Sequence, residues 1–140
     1  MIKLNVNPRK IKTSDCVIRA IAFALDKTWD EVFQELAKIA FKQKRMLNSK
    51  EVYEKYLEQQ GWQKCKQPRD YYNKKYTVDE WMQEMTSHEL CQGKFGNKVI
   101  ISVANHVTAC EKQNGDYHYE IVDTWNCGSK CVGNYWIKIK

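Results

Sequence analysis

The chain contains few residues that interrupt regular structure, and it lacks any long apolar run. Only two prolines, Pro8 and Pro68, occur in 140 residues, and there are no repeats or low-complexity tracts. No segment approaches the roughly 20 apolar residues of a membrane-spanning helix. The first residues show no basic stretch followed by an apolar one, so we expect no secretory signal. These absences favour a cytoplasmic protein in a reducing compartment.

Cysteine, by contrast, is plentiful. Six are present: Cys16, Cys65, Cys91, Cys110, Cys127 and Cys131. In a reducing compartment we expect them to be free thiols. Cys127 and Cys131 invite a zinc interpretation with His88, His118 or Cys110, but zinc clusters more often show two pairs with two-residue gaps. We therefore predict no metal and no organic cofactor.

The composition is that of an ordinary globular protein, with 43% hydrophobic and 12% aromatic residues, and it predicts one domain over residues 1–140. The net charge is +6. This mild basicity suits either an acidic protein substrate or a nucleic acid. Tyr71, Tyr72 and Tyr76 lie among cations and could stack on bases, but such charge runs are usually solvated. Nucleic acid is thus the least favoured partner, and the oligomeric state is left open.

The first two thirds of the chain predict helices. Residues 15–25 are apolar on every side except at Arg19, which indicates a buried helix capped by Ser14 or Asp15. Three capping boxes predict helices that end near Lys44, Gly61 and Leu90; they are Thr28-x-x-Glu31, Asn48-x-x-Glu51 and Thr77-x-x-Glu80. Residues 62–76 are polar and basic, and we expect them to form an exposed excursion.

The remainder predicts strands. Residues 2–6 could form a short strand, 99–104 a central strand, and 132–139 a last strand. Asn114-Gly115 predicts a tight turn between strands at 106–112 and 117–122. Helices followed by an antiparallel sheet give an α+β domain.

The predicted hairpin pairs a histidine with a carboxylate. If Asn114 and Gly115 are the two turn residues, His106 lies directly opposite Asp123. Opposed residues share a face of the sheet, with Cβ atoms roughly 4.5–5.5 Å apart. The same register places Thr108 opposite Ile121, and Val107 opposite Val122 on the other face.

Cys16 occupies the first turn of the buried helix. There the free N–H groups and the helix dipole stabilise a thiolate. A nearby imidazole completes a thiolate–imidazolium pair, and a third polar group orients the imidazole. Cys16, His106 and Asp123 could fill these roles. The plainer interpretation of Cys16 is a buried core thiol.

The motifs Asp15-Cys16, Asn105-His106-Val107 and Asp123-Thr124-Trp125 together resemble the papain-like cysteine peptidases. In that family Cys, His and Asn or Asp follow in this order, and a tryptophan two positions after the third member shields it. The Asp-Cys pair and the Asp as third member are similar to the bacteriocin-processing branch. The chain most resembles small papain-like proteins of phages and prophages.

This resemblance implies a papain-like fold, in which an N-terminal buried helix carrying Cys16 packs on a C-terminal antiparallel sheet carrying His106 and Asp123. It implies a thiol hydrolase acting on a peptide or isopeptide bond, although the same triad supports acyl transfer. Trp125 would shield the His106–Asp123 contact.

One position departs from the family pattern. The family usually has a glutamine six residues before the cysteine, where it donates to the oxyanion, and this chain has Lys10. The Cys16 N–H supplies one donor, and the second is open among Asn7, Lys10 and Asn105. The departure favours an alternative function: a binding module that engages a host protein through residues 62–76.

Overall fold

A computed structural model describes residues 1–92, 95–112 and 118–139, with residues 87–92 described by their backbone only. Within these ranges the chain forms four helices and six strands, which confirms the α+β class. The helices are α1 (Cys16–Leu25), α2 (Trp29–Gln43), α3 (Lys50–Gln59) and α4 (Val78–Gln92). The strands are β1 (Ile2–Lys3), β2 (Trp62–Cys65), β3 (Lys98–Val103), β4 (His106–Lys112), β5 (Tyr119–Asp123) and β6 (Tyr135–Lys138). No helix in the described part of the chain is both long enough and apolar enough to span a membrane.

The six strands form one sheet in the order β1-β5-β4-β3-β6-β2. The sheet is mixed, so the antiparallel expectation is wrong at one edge: β1 runs parallel to β5, with Ile2 beside Val122. Every other pairing is antiparallel. As predicted, β3 lies in the interior of the sheet, between β4 and β6.

The expected exposed excursion over residues 62–76 is wrong for its first four residues. They form the edge strand β2, which pairs with β6, because Trp62 is buried in the core with only 5% of its surface exposed. Beyond this strand the expectation holds at Tyr71 and Tyr72, which are 94% and 85% exposed. It is wrong at Pro68, which is buried, and at Tyr76, which packs against the core.

Both faces of the sheet are covered, because consecutive apolar residues of a strand point to opposite faces. Ile100, Val107 and Trp136 pack under α1, α2 and α3. Val99 and Ile101 pack on the other face, together with residues of α4. Helix α1 packs along β4, and this contact positions the start of the helix.

Two of the three predicted capping boxes form. The Thr28 hydroxyl accepts from the Glu31 N–H and the Thr77 hydroxyl from the Glu80 N–H, at 3.1 and 3.2 Å. The Asn48 box is wrong, because α3 begins one residue later with Ser49 at its N-cap position and no side-chain cap bond.

The register of the β4–β5 pair differs from the prediction by two residues. Ala109 pairs with Val122, and continuing this ladder places Thr108, not His106, opposite Asp123. The predicted Thr108–Ile121 and Val107–Val122 pairs are therefore wrong as well. The Asn114-Gly115 turn lies outside the described residues. A shift of two residues keeps every side chain on its predicted face, so His106 and Asp123 are diagonal neighbours.

Candidate functional site

Helix α1 presents Cys16 as its first residue, as the sequence predicts. Asp15 occupies the N-cap position but makes no side-chain cap bond to the helix, which corrects its expected capping role. In the described part of the chain, no group accepts a hydrogen bond from the Cys16 N–H. The thiol is half-buried and lies at a helix N-terminus with free donors, which favours its anionic form.

His106 lies between the other two members of the predicted triad. It is the first residue of β4, directly after the tight turn at Asn105, whose φ is 58°. Its Nε2 atom lies 2.6 Å from Oδ2 of Asp123. Cys16 and His106 line the same cleft, and each contributes to the shift in the other's pKa. Because Nε2 faces Asp123, the Nδ1 atom of His106 is the ring nitrogen left for Cys16. The structure thus brings all three residues together.

The three groups shift one another's pKa toward the charged forms. Burial opposes ionisation of the thiol, but hydrogen bonds from His106 and from the Val107 N–H prevail, so the pKa of Cys16 falls below its ordinary 9.0. Burial also opposes the imidazolium, yet Asp123 and Cys16 raise the pKa of His106 to about 9. At neutral pH these directions favour a thiolate beside an imidazolium.

The Asp123 carboxylate is almost fully buried, and several donors satisfy it. The Thr108 hydroxyl and the Thr124 N–H each donate to it at 2.6 Å, and Arg19 Nη1 donates at 3.1 Å. Burial raises the pKa of Asp123, but its hydrogen bonds with His106 and Thr108 outweigh this and lower it. An ionised, fixed carboxylate holds the His106 ring in one orientation.

Sequence reasoning missed Arg19 and Asp15 as site residues. Arg19 Nε donates to Asp15 at 2.8 Å while its Nη1 reaches Asp123, so one guanidinium joins two buried carboxylates. Asp15 also accepts from Asn7 and from Trp29, at 2.9 and 3.0 Å. The signal was available, because Arg19 is the one charged residue in a helix that is otherwise apolar on all sides.

Trp125 packs against the ring of His106. Its ring centroid is 4.8 Å from that of His106, at 49° between the planes. The indole is 42% exposed, so it separates the His106 ring from part of the solvent. A covered His106–Asp123 contact is less weakened by water.

The three candidate oxyanion donors have different positions. The buried Asn7 amide is already bound to Asp15, and the Lys10 ammonium contacts the Asn5 carbonyl. Neither borders the cleft beside Cys16, whereas Asn105 does. Asn105 is exposed at the turn, so no fixed side-chain donor comes from this set.

Cys16 and His106 open into a cleft of about 610 Å³. Trp125 and Tyr53 border it, along with the starts of α1 and α3. Lys12 and Lys50 also line it, and none of the described lining residues is acidic. The cleft therefore attracts anionic groups.

Cys127 lies behind the triad. Its Sγ atom and ligand atoms of His106 and Asp123 are all within 4.8 Å of one another, a group that could hold a metal ion. His106 and Asp123 already bond each other, and the Thr108 hydroxyl donates to Asp123. Burial raises the pKa of Cys127 to about 11, so this thiol stays protonated at neutral pH. The thiolate, not the protonated thiol, is the form that ligates metals.

Comparison of the chain with known protein families, with curated proteins and with solved structures gave no match. The chemistry of the site therefore rests on its own geometry.

Proposed function

We propose that this chain is a thiol hydrolase that cleaves a peptide or isopeptide bond, with Cys16 as nucleophile, His106 as general acid and base, and Asp123 as the orienting carboxylate. The observation that carries the proposal is the grouping of the three residues: His106 Nε2 lies 2.6 Å from Asp123 Oδ2, and Cys16 lines the same cleft as His106. The order of these residues, together with Trp125, supports the resemblance to the papain-like proteins of phages and prophages.

The reaction follows from the charges. The Cys16 thiolate attacks the carbonyl carbon, and the electron pair of the C=O bond moves to oxygen. Collapse of this intermediate breaks the C–N bond while His106 donates its proton to the leaving nitrogen. Neutral His106 then removes a proton from water, which cleaves the thioester and releases the acid. An amine in place of water gives acyl transfer by the same steps, and neither route requires a metal or an organic cofactor.

The cleft favours an acidic protein or peptide as substrate. Lys12 and Lys50 line it without a carboxylate among the described lining residues. Among the described residues, the Lys50 ammonium donates only to the neutral amide of Asn134, at 3.3 Å, so its charge is not cancelled there. The chemistry also requires a reducing compartment such as the cytoplasm, and the five described cysteines are free thiols.

The test uses a library of peptides from digested cellular protein and detects new N-termini by mass spectrometry. We expect cleavage by the unmodified chain and by Cys131→Ala, since Cys131 is an exposed thiol. Cys16→Ala should give no cleavage. Its circular dichroism spectrum should match that of the parent, because a small change at a helix start leaves little cavity. Cleavage retained in Cys16→Ala would contradict the mechanism.

A second candidate function is a binding module that docks on an acidic protein. The observation that favours it is a turn that presents Tyr71 and Tyr72 almost fully to solvent. Asp70 accepts hydrogen bonds from the N–H groups of Tyr72 and Lys74, at 2.9 and 2.8 Å, and this fixes the turn. Residues 62–76 contain five cations and one acid. Rigid tyrosines bind partners at low entropic cost.

The two candidates are separated by affinity capture on the immobilised chain. If docking is the function, Tyr71→Ala with Tyr72→Ala should lose an acidic partner that Cys16→Ala retains. Phe41→Ala is the matched control, because Phe41 is also an exposed aromatic residue, at 74%. Capture that is equally strong in the double variant would contradict docking through this turn.

A further inference from the structure

Tyr53 is a buried residue whose hydroxyl has no hydrogen-bond partner within the described protein. The side chain is 6% exposed, and its ring stands edge-on to Trp136, with centroids 5.6 Å apart at 72°. Trp136 lies in β6, paired with Ile100 of β3, so the sheet fixes the ring. Tyr53 lines the cleft together with Cys16, and its unpartnered hydroxyl is not enclosed by the described protein. A hydroxyl in such a place is free to donate to a bound substrate.

The same cleft offers a second free donor. The Cys16 N–H belongs to the first turn of a ten-residue helix that has no side-chain cap. A helix start of this kind attracts negative charge. It is joined here by the unpartnered hydroxyl of a residue that is only 6% exposed.

Electrostatics keep the Tyr53 hydroxyl protonated. Burial raises the pKa of Tyr53 to about 12, and the negative charges of Glu54 and of the Cys16 thiolate add to this shift. The hydroxyl is therefore a donor at neutral pH, and it would donate most readily when negative charge moves from sulfur to a nearby oxygen.

We propose that Tyr53 is a catalytic residue that donates a hydrogen bond to the oxyanion formed when Cys16 attacks a carbonyl, with the Cys16 N–H as the other donor. This inference rests on the proposed function. The new C–S bond places the carbonyl electron pair on oxygen, where the hydroxyl and the N–H stabilise it until the C=O bond reforms and the leaving group departs. Tyr53 thus supplies the second oxyanion donor, a role for which Lys10, Asn7 and Asn105 offer no fixed side chain.

Two reactions of Cys16 separate this role from others. Acylation by p-nitrophenyl acetate passes through a tetrahedral oxyanion, whereas alkylation by iodoacetamide displaces iodide at a saturated carbon and forms none. The rates of both are measured on the unmodified chain and on Tyr53→Phe, with the rate on Cys16→Ala subtracted as background. Loss of one oxyanion donor costs about 10²–10³-fold, so we expect acylation to fall by about 10²-fold and alkylation to stay unchanged.

Tyr56→Phe is the matched control. Tyr56 lies on the same helix and is also buried, but its hydroxyl bonds Glu35 at 3.2 Å and does not line the cleft. It should leave both rates unchanged.

The outcomes distinguish the two proposals. Unchanged acylation in Tyr53→Phe would overturn the assignment of Tyr53 while leaving Cys16 as nucleophile. An equal loss of both rates would also overturn it, because Tyr53 would then act on the thiolate and not on the oxyanion. A Cys16 that reacts no faster than the other cysteines in the unmodified chain would overturn the proposed function itself.

Discussion

His106 is stabilised as a cation by the two groups on either side of it, Asp123 and Cys16, against the effect of its own burial. Its ordinary pKa of 6.5 rises to about 9. The folded state therefore gains stability from a protonated His106. That gain is fully present below pH 6.5 and is lost as the pH rises through about 9.

The same shift predicts opposite pH profiles for two reactions of Cys16. Above about pH 9 the imidazolium is lost, so hydrolysis falls because no proton reaches the leaving nitrogen. The rate of alkylation should instead increase above that pH, because the Cys16 thiolate is a stronger nucleophile once the neighbouring imidazolium is neutral. Rates measured between pH 5 and 10.5 check this, and a hydrolysis rate that continues to rise beyond about pH 9 would contradict the role of His106 as acid.

Arg19 is the second residue on which the site depends. Its side chain is 13% exposed and binds Asp15 and Asp123, each 4% exposed. Arg19→Met leaves two carboxylates buried without their cation, and breaking a buried pair costs about 3–5 kcal/mol. We expect a loss of this size in the free energy of urea unfolding.

The matched control is Arg45→Met. Arg45 pairs with Glu51 on the surface, with both side chains about half exposed (53% and 52%). Such pairs contribute about 0–1 kcal/mol. Equal stabilities for the two variants would mean that the Asp15–Arg19–Asp123 contacts contribute nothing to the fold.

At the scale of single residues, sequence patterns could find Cys16 and His106 because each follows a local signal: a helix start or a strand start. Arg19 and Thr108 were missed because their roles depend on where Asp123 lies across the sheet. The hairpin prediction placed His106 opposite Asp123, and the ladder places Thr108 there. Hydrogen-bond partners on neighbouring strands depend on the register of the two strands. Local sequence patterns predict which face of the sheet a side chain lies on, but not which residue lies opposite it.

Among the helices, two starts that look alike in sequence differ in structure. The Thr28 hydroxyl caps α2 by accepting from the Glu31 N–H, and Glu31 accepts in return from the Thr28 N–H at 3.4 Å. Ser49 at the start of α3 makes no such bond, and its hydroxyl donates instead to the Met46 carbonyl. The capping motif alone could not separate these cases, because the loop before each helix decides where the side chain points.

Thr28→Ala should therefore destabilise the protein by about 1 kcal/mol, the usual cost of losing an N-cap side chain. Ser49→Ala should cost only a few tenths of a kcal/mol, since the first turn of α3 loses no partner. Thermal and urea unfolding measure both. A larger loss for Ser49→Ala than for Thr28→Ala would contradict this assignment of the caps.

At the scale of the whole molecule, the α+β class follows from the order of the sequence patterns, but the topology does not. Strand β1 joins the far edge beside β5, and β2 arises inside a segment whose polar composition indicated a loop. Both strands form because of contacts with residues far away in the sequence. Ile2 of β1 pairs with Val122, and Trp62 of β2 packs in the core. The local periodicity of hydrophobic residues does not predict these long-range contacts.

The distribution of charge gives a prediction at this scale. Lys12 and Lys50 should attract the anionic reagent iodoacetate to Cys16 more than neutral iodoacetamide. Lys12→Glu with Lys50→Glu should lower the ratio of the two alkylation rates by about tenfold at low salt, and added salt should reduce the difference. Lys38→Glu with Lys42→Glu makes the same change of net charge away from the cleft. An equal fall in the ratio for both pairs would contradict a local effect of the cleft.

The most direct test of the central claim is the location of the thiolate. The folded protein is treated at pH 6 with limiting iodoacetamide, and the modified cysteines are identified by mass spectrometry, alongside His106→Ala. An ordinary thiol is almost wholly protonated at that pH. The account predicts rapid modification of Cys16 alone, lost in His106→Ala. Slow and even modification of all six cysteines would contradict it, because Cys16 would then be an ordinary thiol.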